Sequence, residues 1–163
     1  GKKVLYIDSE KGFSSDRFRQ ISGDDKLLDQ LVIMKVNDFR EQYYMVKELV
    51  ELNNFDCLII DTLTFFYRKE VKENRAKLNN MLKHHLDHLY SISKKGKLVM
   101  FTNQVYSKME SNIPSPVAGD LIVPGSDLLI RLEKNPRKFV VMKPHLQSFD
   151  FEIVESGFVA KSI

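Results

Sequence analysis

Polar side chains close three of the apolar runs in this sequence. Asp8 and Glu10 follow the first run, Asp61 ends the second in "CLIID", and Asn103 and Gln104 follow the third in "LVMFTNQ". Ligands of open α/β sheets bind beyond the carboxyl ends of the strands, so these side chains are expected to meet at one rim. Carboxylate oxygens suit a hard divalent cation, and the chemistry predicted for this rim is therefore metal-assisted phosphate binding.

An apolar run that closes on a single Asp has the Walker B pattern, in which the carboxylate holds Mg²⁺ beside nucleotide phosphates. Taken alone, Asp61 has a second interpretation as the cap of the turn that follows it. Many strands of α/β proteins end in Asp, so one such run decides little. Three polar strand ends in one sheet favour the metal-binding interpretation.

The apolar runs themselves predict the strands that position these side chains. They lack polar alternation, which is typical of parallel strands buried on both faces. The predicted strands are Val4 to Ile7, Leu31 to Val36, Cys57 to Ile60 and Leu98 to Phe101. Helical patterns lie between them, and the alternation of strand and helix predicts an α/β fold.

Three helices are predicted from caps and spacing. One begins shortly before Arg17; a second follows Asp38, which forms a capping box with Glu41; a third runs from about Glu73 to Lys95. The stretch "VYSKMESNIPSPVAGD", residues 105–120, has no period and predicts a mobile surface loop. Three antiparallel strands, appended to one edge of the sheet, are predicted for the tail: Leu128 to Leu132, Lys138 to Met142 and Phe149 to Val154.

Length, composition and net charge limit the classes of protein to which the chain can belong. The 163 residues are 43% hydrophobic and 29% charged, which are globular values, and the net charge of +3 permits nucleic-acid binding without requiring it. No apolar run is long enough for a membrane span, and no signal peptide is evident. Cys57, the one cysteine, lies in an apolar run and predicts a buried, reduced side chain in a cytoplasmic protein.

Several stretches, taken in order, resemble the RecA/RadA recombinase family. They are "YIDSEKGFSSDRFRQI", "LIIDTLTFFYRKE", "NRAKLNNMLKHHLDHL", "FTNQVYSKME" with "PVAGD" after it, and "MKPHLQSFDFEIVESG". The resemblance covers nearly the whole chain and is nearest to the archaeal RadB branch. It implies one RecA-like ATPase core domain over residues 1–163, with a mostly parallel sheet, flanking helices and an antiparallel C-terminal extension.

The resemblance also implies roles at the rim, with ATP and Mg²⁺ as cofactors. Glu10 would position the water that attacks the γ-phosphate, and Asp61 would hold the magnesium ion. Gln104 would sense the γ-phosphate and relay its presence to the loop that follows. Arg17 would stack on the adenine, a role that suits a planar guanidinium.

Two basic segments correspond to the DNA-binding loops of the family. Lys108 is the cation of the second loop, and Arg68, Lys69 and Lys72 belong to the first, so single-stranded DNA is the implied partner. The residues alone leave a second interpretation open for the first segment, a solvated helix start. The neighbouring aromatic residues, Phe65 to Tyr67, suit either base stacking or core packing, and core packing is the favoured interpretation.

Two features depart from the family pattern. Ala118 stands where the second loop usually has Gly. More importantly, no G-x-x-x-x-G-K-[ST] motif occurs, and nothing else supplies a phosphate cradle of backbone N–H groups and a Lys. In the family, the phosphate-binding loop with this motif and the helix after it come before the strand that is the first one here. Roughly 50 to 60 residues are therefore expected to precede Gly1. The 163 residues alone are expected not to hydrolyse ATP.

The stretch "KHHLDH" places His84 and His88 four residues apart on one helix face, a spacing that suits zinc. It has no glutamate of the H-E-x-x-H kind and no evident further ligand. His84 and His88 flank the apolar stripe of the predicted helix, so ordinary helix-surface histidines are the favoured interpretation.

Two functions remain open at this point. The first is a nucleotide-driven recombination protein that binds ATP at the strand ends and single-stranded DNA on two loops. The second is a non-hydrolysing accessory protein that acts through partners such as the recombinase RadA or a Holliday junction resolvase. Self-association is left open in both, and a KaiC-like signalling ATPase fits the strand ends less well.

Overall fold

The computed structural model describes residues 1–108 and 111–161, with side chains omitted for residues 107–113. The strands are β1 (Val4–Asp8), β2 (Leu31–Lys35), β3 (Cys57–Asp61), β4 (Leu98–Phe101), β5 (Val105–Lys108), β6 (Ser111–Pro116), β7 (Leu129–Lys134), β8 (Arg137–Lys143), β9 (Gln147–Val154) and β10 (Gly157–Ala160). The helices are α1 (Ser15–Ser22), α2 (Phe39–Leu49), α3 (Phe65–Glu70), α4 (Arg75–Lys94) and α5 (Gly119–Ile122), and a 3-10 helix spans Asp25–Gln30.

The chain divides into two compact units. The first contains residues 1–13 and 26–122; the second contains residues 14–25 and the described chain from Val123 onward. No helix in the described part of the chain is long and apolar enough to cross a membrane.

A parallel sheet forms the centre of the first unit, in the strand order β2-β1-β3-β4. In this register Asp8 lies opposite Asp61, so both strands end at the same level. Parallel pairing of β3 with β4 brings the residues after Phe101 to the same edge. The fold class predicted from the sequence, a parallel α/β sheet flanked by helices with antiparallel C-terminal strands, is confirmed.

Burial on both faces of the sheet was the wrong expectation. The strands alternate in burial: Leu5 and Ile7 are covered and join the core that the helices complete, whereas Leu98 and Met100 are 64% and 50% exposed. The apolar side chains of the core share the helix-covered face, which also carries Leu58 and Ile60. Continuous apolar runs are typical of parallel strands, but they do not indicate which face of the sheet is covered by the helices of this chain.

Local side-chain bonds set the helix starts. Asp38 caps α2 by accepting the amide of Glu41 at 2.7 Å, as predicted. The Glu41 carboxylate accepts the backbone N–H of Asn37, one residue before the N-cap, and not that of Asp38 as a capping box requires. Helix α4 begins two residues later than predicted because the side chain of Asn74 accepts the amide of Lys77 and serves as its N-cap.

The segment after Gln104, predicted as an irregular loop, contains the paired strands β5 and β6. Val105 lies opposite Pro116 in this antiparallel ribbon. Its base is closed by two bonds of 2.9 Å, from the Val117 amide to the Gln104 carbonyl and from the Asn103 side chain to the Val117 carbonyl. Pairing between distant residues needs no apolar period, so the sequence pattern did not predict it.

The second unit contains an antiparallel sheet in the order β10-β9-β8-β7. The predicted tail strands therefore form a sheet of their own and do not extend an edge of the parallel sheet. A fourth strand, β10, was not predicted; it begins at Gly157, directly after a turn, and pairs with β9. Lys143 stabilises this unit by donating to the carbonyls of Val123 and Ser126 at 2.7 and 3.2 Å.

Candidate functional site

The strand ends of the parallel sheet are held together by backbone bonds beyond the strands. The Ser9 amide donates to the Asp61 carbonyl at 2.8 Å, and the Thr102 amide donates to the Ile60 carbonyl at 3.0 Å. The Leu63 amide then donates to the Thr102 carbonyl at 3.1 Å. The sheet therefore brings the residues after β1, β3 and β4 to one rim.

Asp61 lies at the centre of this rim, with both carboxylate oxygens oriented by hydroxyl donors. Tyr6 donates to Oδ2 at 2.6 Å, and Thr102 donates to Oδ1 at 2.5 Å. Burial, followed by the hydrogen bond to Asp61, raises the pKa of the Tyr6 hydroxyl, so that this group stays protonated and donating. The Asp61 side chain is half-buried and points in a fixed direction.

The two acids after β1 have different surroundings. Asp8 is only 1% exposed, and its carboxylate accepts the backbone amides of Gly12 and Phe13, both at 3.0 Å. It therefore shapes the turn after β1. Glu10 is exposed at the rim and accepts bonds from the Thr62 hydroxyl and from Gln104 Nε2, the latter at 3.1 Å. Of the two acids, Glu10 is the one open to solvent.

Gln104 connects this carboxylate with a cation. Its amide nitrogen donates to Glu10, while its Oε1 accepts a bond of 3.3 Å from the Arg68 guanidinium. The three predicted residues Glu10, Asp61 and Gln104 thus lie together at one rim. Sequence reasoning missed the hydroxyl donors that orient them, namely Tyr6, Thr62 and Thr102; the two Thr residues follow the ends of β3 and β4 directly.

Arg17 belongs to the second unit, where its guanidinium already has partners. It donates to the Gln20 side chain and to the Glu155 carbonyl, both at 2.5 Å, and to the Val154 carbonyl at 3.5 Å. These bonds attach α1 to the turn between β9 and β10. The adenine-stacking role of Arg17 stays a prediction.

The predicted DNA-binding cations of the first segment are exposed. Arg68 and Lys69 end α3, Lys72 lies in the turn that follows, and Lys69 Nζ sits 3.8 Å from the centre of the Phe65 ring. Phe66 and Tyr67 are buried, as core packing predicts, at 7% and 6% exposure. The backbone of Lys108 lies in β5, and its side chain falls outside the described part.

His85, which lies between the two histidines that the zinc spacing singled out, is not at the surface. Its ring is fully buried between α2 and α4, stacked on Phe39 at 5.8 Å and edge-on to Tyr43 at 6.1 Å. Neither of its ring nitrogens has a hydrogen-bond partner among the described residues. Desolvation lowers the pKa of His85 to about 3, so the ring is neutral at physiological pH.

The single cysteine also differs from its prediction. Cys57 is half-buried rather than fully buried, and desolvation raises the pKa of its thiol. It is a protonated thiol at neutral pH, consistent with the reduced state that the sequence suggests.

The possible metal ligands at the rim suit magnesium better than a metal that takes most of its ligands from protein side chains. Among the described residues, no group of three or more His, Cys, Asp or Glu side chains is arranged to hold a metal ion. Magnesium typically takes one or two carboxylates and completes its shell with water and phosphate oxygens. Asp61, an oriented carboxylate flanked by hydroxyls, fits that chemistry.

Comparison with known proteins gives the family. A family model described as Rad51 matches residues 1–155. The DNA repair and recombination protein RadB of Methanococcoides burtonii is 35% identical over 141 residues, which cover 82% of this chain and 62% of that protein. RadB of Methanococcus maripaludis is 32% identical over 96% of this chain and 78% of its own length.

A solved structure agrees with these relatives. The crystal structure of the RadB recombinase superposes with a TM-score of 0.79 at 29% identity, and covers 97% of this chain and 78% of that one. The chain thus spans between about three fifths and four fifths of these proteins. It belongs to the Rad51 family of recombinases and is similar to the RadB group of DNA repair and recombination proteins.

Proposed function

We propose that this protein binds ATP and Mg²⁺ at the rim formed by Glu10, Asp61 and Gln104, and binds single-stranded DNA through the cations at the end of α3, in the turn after it and at the end of β5. The observation that carries the proposal is a pair of side-chain hydrogen bonds that connect Glu10 with Gln104 and Gln104 with Arg68. One amide contacts both a carboxylate suited to nucleotide chemistry and a cation suited to DNA. In this function, residues 1–163 would form one RecA-like core domain.

Each residue at the rim has a role that its surroundings support. Asp61 would hold the magnesium ion, because its oxygens are oriented by Tyr6 and Thr102. The ion supplies charge neutralisation of the phosphates when it is bound. Glu10 is exposed and accepts a hydrogen bond from the Thr62 hydroxyl, so its carboxylate would accept a hydrogen bond from the attacking water.

The DNA-binding part of the proposal depends on exposed cations. Arg68, Lys69 and Lys72 lie close together in sequence, and their side chains are exposed to solvent. Lys108 lies on the neighbouring ribbon that follows Gln104. Neutralisation of phosphates by such side chains releases counterions and provides affinity without sequence preference.

The test compares Glu10→Gln and Asp61→Asn with the wild type in the full-length protein as its gene encodes it. Glu10→Gln should lower ATP turnover by at least about 100-fold while nucleotide affinity stays within about threefold. Asp61→Asn should weaken the magnesium-dependent part of ATP binding. Turnover that is unchanged in Glu10→Gln would remove Glu10 from its assigned role.

A second result would support the accessory function instead. The 163 residues contain no G-x-x-x-x-G-K-[ST] motif. If the full-length protein binds single-stranded DNA but neither binds nor hydrolyses ATP, a non-hydrolysing mediator in the cytoplasm that acts through RadA or a junction resolvase becomes the better description. Co-purification with the purified recombinase and with a resolvase would then distinguish the two partners.

A further inference from the structure

A buried amide lies beneath the rim. Gln42, in the second turn of α2, is 0% exposed, and both ends of its side chain are hydrogen-bonded. Its Oε1 accepts a bond of 2.9 Å from the Ser9 hydroxyl, and its Nε2 donates a bond of 3.0 Å to the Leu63 carbonyl. The side chain therefore bridges the segment after β1 and the segment after β3.

The two segments that Gln42 joins are those that hold Glu10. Ser9 immediately precedes Glu10 and is itself only 1% exposed. Leu63 immediately follows Thr62, whose hydroxyl donates to the Glu10 carboxylate. The Ser9 amide also donates to the Asp61 carbonyl, so Ser9 is fixed from two directions. Glu10 thus follows a residue that is held by buried hydrogen bonds, and its own carboxylate is hydrogen-bonded to Thr62.

A polar residue at this position contributes orientation more than stability. The other covered positions of the α2 face, Phe39, Val46 and Leu49, are apolar and pack into the core. Burial of an amide among them is unfavourable unless both its donor and its acceptor are satisfied, and even then the net gain in stability from each bond is small. Two directional bonds, however, fix the spacing of the segments that they connect.

We propose that Gln42 is a positioning residue for Glu10, which acts by tying the backbone after β1 to the backbone after β3. The inference rests on the function proposed above insofar as it concerns turnover. A displacement of about 1 Å in a catalytic group can cost about 100-fold in rate, so a loosened anchor should affect turnover far more than nucleotide affinity.

The test uses the full-length protein with Gln42→Leu, which keeps the bulk and removes both bonds. The matched control is Val46→Ala, a truncation at a fully buried position one turn further along the same helix face. We expect Gln42→Leu to lower kcat about 100-fold with KM within about threefold, and Val46→Ala to leave kcat within about twofold at a similar loss in Tm. An equal loss of kcat in both variants would reduce Gln42 to an ordinary core residue.

A second measurement does not depend on ATP chemistry. Amide hydrogen exchange at residues 9–13 and 62–64, without nucleotide, should be faster in Gln42→Leu than in Val46→Ala. Equal exchange in the two variants would overturn the proposal. If the wild type neither binds nor hydrolyses ATP, the proposed function fails, while the exchange result still decides whether Gln42 anchors the Glu10 segment.

Gln42→Glu provides a rescue that a merely structural role would not show, and it also serves if Gln42→Leu does not fold. A protonated Glu can accept from Ser9 and donate to the Leu63 carbonyl, whereas an ionised Glu cannot donate. Burial raises the pKa of such a carboxyl group. The kcat of Gln42→Glu relative to wild type should therefore rise as the pH falls; a flat ratio across pH would contradict the proposal.

Discussion

The side-chain amide of Gln104 donates a 3.1 Å hydrogen bond to Glu10, a residue 94 positions earlier in the chain. The same amide accepts a bond from Arg68 at 3.3 Å. Because one planar group holds both bonds, a change in the position of the Glu10 carboxylate alters the direction in which Gln104 presents its carbonyl oxygen. The arrangement provides a physical route between the rim and the cations at the end of α3.

The first prediction concerns this route. Gln104→Ala removes both bonds and should abolish any effect of ATP on DNA affinity in the full-length protein, while DNA affinity without ATP stays within about threefold. Coupling between two sites is usually worth a factor of about 5 to 150 in affinity, which sets the size of the expected loss. Fluorescence anisotropy of a labelled oligo-dT strand, with and without ATP and Mg²⁺, measures it.

The control for this variant is Asn103→Ala, at the adjacent residue. Asn103 closes the base of the β5–β6 ribbon through the Val117 carbonyl and makes no bond to Glu10. If Asn103→Ala abolishes the ATP effect and Gln104→Ala preserves it, the coupling runs through the ribbon backbone and not through the Gln104 amide.

The second prediction concerns the cations proposed to bind DNA. Lys72→Ala and Lys108→Ala should each weaken binding to single-stranded DNA and lower the steepness of its salt dependence by about 0.7, the value expected for one phosphate contact on a single strand. Lys83→Ala is the matched control, because Lys83 is exposed on α4, as Lys72 is after α3, but lies outside both segments. The measurement is log Kd against log salt concentration; equal slopes for all three variants would place the DNA elsewhere.

Sequence reasoning reached the fold because the signals it used are local. The four parallel strands were predicted to within one residue at each end, since apolar runs and capping residues such as Asp38 act over a few positions. The grouping of Glu10, Asp61 and Gln104 followed from one further rule, that parallel strands end at a common edge. None of these predictions required a long-range contact to be known.

The remaining features depend on contacts between distant residues. Gln42 resembles any helix residue in the sequence, and only the positions of Ser9 and Leu63 reveal what its amide does. The burial of His85 is a similar case, because the ring is covered by Phe39 and Tyr43 of another helix. Polar residues buried by tertiary packing leave no periodic signal, so sequence patterns assign them to the surface.

The third prediction concerns this buried histidine. The folded-state pKa of His85 is about 3, below its unfolded value of about 6.5, so the unfolded chain binds a proton that the folded chain excludes between these values. The contribution of the neutral His85 ring to the free energy of unfolding is therefore complete above about pH 6.5. It is lost as the pH falls below that value, at roughly 1 kcal/mol per pH unit. Desolvation of the neighbouring His88 lowers its pKa as well and acts in the same direction.

His85→Phe isolates this term, since phenylalanine keeps an aromatic ring beside Phe39 and has no titrating group. Urea unfolding at pH 7, 6 and 5 should show the free energy of unfolding of the wild type falling more steeply than that of His85→Phe. His84→Gln, a change at an exposed site on the same helix, should retain the wild-type slope. If ring size perturbs the packing, His85→Leu repeats the comparison. Parallel slopes for the wild type and both His85 variants would mean that the ring takes up a proton without unfolding, and hence that water reaches it in the native state.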